Sequence, residues 1–229
     1  MEHFGVSIHA GKRGLKLTRE NYAIVDNKSS FDSKLQCLIE NNAYADEAGK
    51  YYTDEWCLTY RELCLQNFDL NMQFFSSLNH EEFEEEIANF LLKNEGFVEV
   101  YDLNEWEGVS GYYLMVLDKY CQIYIGTTDD VKKRIRQHWT KSKSFDRLLF
   151  PLYAVEKSVL SIDSFRALDT TRIFAQRTIN TYSKEDDLIN TFNLNFVTNR
   201  IGGGKLENTL LGAIQRIATI KTKQLIIDT

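Results

Sequence analysis

The chain has 229 residues, 43% of them hydrophobic and 26% charged, which is apolar enough for a sizeable core and excludes a disordered chain. The formal net charge of −6, taken as an average, argues against a nucleic-acid partner. No stretch approaches the ~18 apolar residues of a membrane span, and Met1-Glu2-His3-Phe4 lacks the basic start of a signal peptide, so a cytoplasmic protein without membrane contact is expected.

The average conceals a split. Residues 1–105 hold 9 Lys+Arg against 20 Asp+Glu, whereas residues 106–229 hold 18 against 13. A basic second part suits a phosphate-rich partner, and an acidic first part does not. The single proline, Pro151, favours regular elements over long irregular loops. Cys37, Cys57, Cys64 and Cys121 make no close CxxC pair and the histidines are scattered, so buried reduced thiols are expected rather than a zinc site.

In chain order, Tyr22-Ala23-Ile24-Val25 admits a short strand. Leu35, Leu38 and Ile39 share one face of a first helix, which Ser30 or Asp32 would cap. Asp54-Glu55 open a second helix, and a third is expected over His80–Lys93. In the third, Phe83, Ile87, Phe90 and Leu91 form the apolar stripe, and Glu81, Glu82 and Glu84-Glu85-Glu86 read as its solvated face. Gly96 ends that helix before a short alternating strand over residues 97–101. Two apolar runs, residues 112–117 and 121–125, flank Asp118-Lys119 and read as a hairpin covered on both faces. Thr128-Asp129 open a helix that buries Val131, Ile135 and Trp139, with Arg134 and His138 together at the edge of that stripe. A strand over 148–155 and a helix over 163–177 are expected next. Beyond the glycines at 202–204, Leu206, Leu210, Ile214 and Ile217 predict a final helix. The fold class is therefore α+β, a small antiparallel sheet flanked by helices behind a mainly helical N-terminal region. The expected divisions are 1–105, 106–204 and 205–229.

Gly111-Tyr112-Tyr113 and Tyr124-Ile125-Gly126, with the tyrosines eleven residues apart, resemble the two halves of the GIY-YIG nuclease signature. Arg134 and His138 follow as in that family's R-x-x-x-H helix. The family's glutamate sits in a pattern like A-L-E-x-x-L-I, and the similar run from Ala167 to Ile173 puts Asp169 in its place. The late asparagine is matched by Asn180, or less well by Asn199. The resemblance covers roughly residues 110–200, and nothing similar was found for residues 1–100.

The resemblance implies a nuclease in which Tyr113 is general base, Arg134 holds the scissile phosphate, Tyr124 and His138 orient water or phosphate, and Asp169 binds Mg²⁺ or Mn²⁺. The residue types suit the chemistry. A guanidinium bonds two phosphate oxygens at once, and a hard cation on a carboxylate stabilises phosphorane charge. A phenol is a poor base unless nearby cations lower its pKa, and Lys119, Lys132, Lys133 and a bound metal are the candidate sources of that charge. Gly126, Lys132, Lys133, Lys141 and Lys143 are the expected nucleic-acid contacts. DNA is the expected partner, with RNA, a protein partner for residues 1–105, and a homodimer left open.

Overall fold

The computed structural model describes residues 1–27, 52–149, 155–179 and 184–199. A two-stranded ribbon, β1 (Glu2–His3) and β2 (Val6–Ser7), leads into a short helix α1 (Arg19–Tyr22) capped by the Thr18 hydroxyl. α2 (Asp54–Ser76) starts at the Thr53 cap and α3 (His80–Lys93) at Asn79, whose side chain accepts the Glu81 and Glu82 N–H groups. These caps satisfy donors that a helix start leaves orphaned. Tyr22, expected in a strand, closes α1 instead, because the Thr18–Asn21 capping box fixes a helical turn there. The helix expected around Leu35, Cys37, Asn180 and the helix beyond residue 204 lie outside the described residues.

The central sheet has the order β3-β6-β4-β5, all antiparallel: β3 (Val98–Glu99), β6 (Arg172–Arg177), β4 (Gly111–Leu117) and β5 (Gln122–Thr128). The expected hairpin is β4–β5, closed by a 3₁₀ turn at Asp118–Tyr120 that leaves Cys121 left-handed, at φ 46°. Every residue of β4 is buried, as a strand covered on both faces requires. On one face, Tyr112, Leu114, Val116, Ile123 and Ile125 pack against Phe83, Ile87 and Phe90 of α3 and Leu188 and Ile189 of α5 (Glu185–Asn190). On the other, Tyr113, Met115, Ile173 and Ala175 pack against Val131, Ile135 and Trp139 of α4 (Val131–Thr140). Each such aromatic or branched side chain stabilises the fold by about 1.5–3 kcal/mol.

The third strand and the helix after it are corrected. Residues 148 and 149 lie in a bend and Val155–Lys157 in a 3₁₀ turn. The span read as a helix over 163–177 instead holds 3₁₀ turns at Ile162–Ser164 and Ala167–Asp169, followed by β6. Asp169 causes the break. Its carboxylate accepts the Arg166 N–H at 2.8 Å and the Leu17 N–H at 2.8 Å, tying a tight turn to the N-terminal segment. The β-branched pair Thr170-Thr171 then carries the chain out extended.

The boundary expected at residue 105 coincides with no break in packing. One apolar cluster holds Val6, Tyr22, Cys64 and Phe75 together with Tyr113, Ile135 and Ile173. The acidic face of α3 is also partly spent. Glu84 pairs with Arg172, which also binds Asp118, and Glu86 accepts the Asn193 N–H. The Cys57, Cys64 and Cys121 thiols are buried and form no disulfide, and no described helix is long and apolar enough to cross a membrane.

Candidate active site

β4 and β5 pair so that Tyr113 faces Gly126 across the strands. A side chain at 126 would meet the Tyr113 hydroxyl at 2.3 Å, so only glycine lets the phenol lie across the neighbouring strand. Gly126 was expected to contact nucleic acid. It is buried beneath that ring instead, and its role is to make room. Gly111 is needed for a similar reason, because a Cβ there would meet the Gln176 carbonyl at 2.2 Å.

The Tyr113 hydroxyl bonds His138 Nε2 at 2.8 Å, and His138 Nδ1 bonds Asp163 Oδ1 at 2.9 Å. Asp163 as a carboxylate can only accept, so it selects the Nδ1–H tautomer. The Nε2 lone pair is then free to take the tyrosine proton. Burial lowers the His138 pKa against the opposing pull of Asp163, so the ring is neutral at pH 7. Burial alone would raise the Asp163 carboxyl, but the hydrogen bond from His138, together with the ring's charge once it is protonated at low pH, holds it below its ordinary value. Burial lifts Tyr113 well above the usual phenol value and pushes Tyr124 up to about 12. Neither phenol is therefore ionised at rest.

Arg134 is half-buried on the same helix as His138. Its burial is more than offset by Tyr113 and Tyr124, which raise its pKa. The rings of Tyr124 and His138 lie 4.9 Å apart, edge to face. The elements thus bring together Tyr113, Tyr124, Arg134 and His138 of the expected site.

They do not bring in Asp169. Its carboxylate is buried, accepts the Leu17 and Arg166 N–H groups, and takes the Tyr120 hydroxyl at 3.0 Å. None of these bonds leads to Tyr113, Arg134 or His138. Besides Asp163, the acid whose charge reaches these groups is Glu185, at the start of α5. It is buried, and its charge is felt by Tyr113, Tyr124 and Arg134. Burial, then repulsion from Asp186, pushes its pKa up to about 7, against the attraction of Arg134. The signal was in the chain. Glu185-Asp186-Asp187-Leu188-Ile189 repeats the E-x-x-L-I spacing better than the run at Asp169 does. Asp163 had no such signal.

His138 is buried and occupied at both nitrogens, so its expected direct contact with water or phosphate is replaced by contact with Tyr113. Lys132 is paired with Glu107 at 2.8 Å. Lys133 and Lys141 are exposed, and Lys143 is close enough for its charge to lower the Asp163 pKa. Asn199 bonds the Ile125 backbone through both its amide atoms, at 3.1 and 2.7 Å, and so holds the edge of β5.

Among the described residues no three His, Cys, Asp or Glu side chains converge as a cation cage. A magnesium-type ion, however, is commonly held by one or two carboxylates, with water and phosphate oxygens completing its shell. A single buried, under-compensated carboxylate such as Glu185 fits that mode. Compared with family models, curated proteins and solved structures, the chain matches none.

Proposed function

We propose that the chain is a divalent-metal-dependent endonuclease of the GIY-YIG kind, hydrolysing DNA phosphodiester bonds. One observation carries this reading. Two phenols from facing strands, a guanidinium and an imidazole from one helix, and a buried glutamate at the start of another act on one another. Tyr113 passes a proton from water to His138, and Asp163 holds that ring in the accepting tautomer. Arg134 bonds the phosphate oxygens, and Tyr124 borders them. Glu185 would hold Mg²⁺ or Mn²⁺, which when bound stabilises charge on the phosphorane and the leaving oxygen.

The test is nicking of supercoiled plasmid by the full chain with Mg²⁺, Mn²⁺ or EDTA. Asp163→Asn should lower the nicking rate by about 10²-fold or more, because an amide no longer selects the proton-accepting tautomer. An unchanged rate would remove Asp163 and the relay from the mechanism.

Glu185 offers a readout besides activity. Its folded-state pKa, about 7, lies above its ordinary 4.5, so folding favours the protonated acid. That contribution to stability is fully present below about pH 4.5 and is lost as pH rises through about 7. The melting temperature of the wild type should therefore fall across that window, and Glu185→Gln should abolish the fall. At pH 8, Mg²⁺ should raise the melting temperature of the wild type and leave Glu185→Gln unmoved. Equal responses would take the metal away from Glu185.

One observation favours a second reading. Tyr113 has no exposed surface, as a purely structural polar cluster would require. A chain that never nicks DNA, yet binds it with steep salt dependence, is then a nucleic-acid binder built on this framework. A third reading makes residues 1–105 a restraint on the nuclease. It cannot be tested by deleting them, because they share the core of Tyr113 and Ile135.

A further inference from the structure

Outside the site just described, the strongest unexplained feature is a cleft of about 410 Å³ between the N-terminal segment and the C-terminal end of α4. Its lining includes four permanent cations, Lys12, Arg13, Arg136 and Arg166, against one carboxylate, Asp26. Asp26 is already shared, paired with Lys12 and lying 3.6 Å from Arg13. Arg136 is exposed and has no ion pair among the described residues. Arg166 is buried, and three of its bonds go to the carbonyls of Ser164, Trp139 and Asp163. Burial, then the charge of Arg13, lowers its pKa, while Asp163 and Asp169 pull the other way. Arg13 and Arg166 lie near enough for the charge of one to disfavour that of the other, and an anion between them stabilises both.

The shape also suits an anion. Gly11-Lys12-Arg13-Gly14 forms a tight turn in which the Gly14 N–H bonds the Gly11 carbonyl at 2.9 Å. Nothing lies within 4 Å of where a Cβ on Gly11 would stand, so a ligand can approach that backbone closely. Ser7, Thr140 and Ser142 add hydroxyl groups to the wall.

We propose that this cleft binds a backbone phosphate of the same nucleic acid that the Tyr113–Arg134 site acts on. The assignment rests on the nuclease reading for its choice of ligand. Arg136 and Trp139 belong to the helix that carries Arg134 and His138, and Arg166 donates to the carbonyl of Asp163. A strand that runs from Arg134 to this cleft meets a second cationic seat, to which Lys12 and Arg13, outside the stretch the family resemblance covers, contribute. It also explains how a chain with net charge −6 holds a polyanion: Lys12 and Arg13 of the acidic part line the cleft together with Arg136 and Arg166.

The test compares the full-length protein with Lys12→Ala/Arg136→Ala, two substitutions at exposed side chains. Binding of a fluorescein-labelled DNA duplex without metal is followed against salt, and inorganic phosphate is titrated while the Gly11 and Gly14 amide resonances are watched. The expected result is a loss of about two units from the slope of log K against log salt, with weaker binding at low salt. Phosphate should also shift both amides in the wild type and not in the variant. An unchanged salt slope overturns the assignment. So does a response to phosphate without any change in DNA binding, since the cleft would then take a small phosphorylated molecule. A protein that shows the expected slope change yet never nicks DNA supports the cleft and sinks the nuclease reading, so the two fail separately.

Discussion

Replacing Arg134 with alanine should lower metal-dependent nicking by about 10²- to 10³-fold, because one fixed positive group aimed at the developing phosphorane charge is lost. Arg134→Lys should recover only part of this, since an ammonium is a point charge and cannot bond two oxygens in one plane. Protein that is merely misfolded would show the same loss, so a second readout is needed. Arg134 is the cation that holds the Glu185 pKa down. Without it, the pH-dependent loss of stability assigned to Glu185 should move to higher pH while the fold persists. Full nicking activity in Arg134→Ala would end the phosphate-binding role.

Asp169→Ala should be among the most destabilising single changes in the chain. Three buried donors, the N–H groups of Leu17 and Arg166 and the hydroxyl of Tyr120, lose their acceptor at once. Each stranded donor costs about 1–3 kcal/mol. The total is a large fraction of the ~5–15 kcal/mol that holds a domain together. Urea denaturation should show a marked fall in midpoint, with a smaller fall for Asp169→Asn, whose amide oxygen can still accept. The contrast with Glu185→Gln is the informative part. Asp169 is expected to be needed for folding, whereas Glu185, once ionised, is expected to destabilise the fold, as a group kept for its chemistry would. If Asp169→Ala melted like the wild type but lost its response to Mg²⁺, Asp169 would return to the metal site in place of Glu185.

Much of the framework was legible in the chain. The hairpin announces itself by two apolar runs around Asp118-Lys119, and α4 by Val131, Ile135 and Trp139 at four-residue spacing. α3 runs over the residues expected, with Asn79 as its cap. These signals survive because each is written within a few residues. The run Ile173-Phe174-Ala175 was misread for a physical reason. A strand buried on both faces shows no alternation and has the same composition as a buried helix. Asp169 was misplaced along with it, since a helix there would have turned its carboxylate toward the site.

By itself the sequence determined the local elements, the order of the aromatic and basic residues on them, and the split of charge along the chain. Only the tertiary structure decided which acids lie beside the tyrosines and which tie the backbone together. It paired His138 with Asp163, 25 residues away, and Asp169 with Leu17, 152 residues away. The reason is one of range. A cap or an apolar stripe is selected by neighbours in sequence, whereas the environment of a carboxylate is set by whatever the completed fold packs against it. Lys12 and Arg13 belong to the second kind. They were counted with an acidic region, and the fold set them beside Arg136 and Arg166.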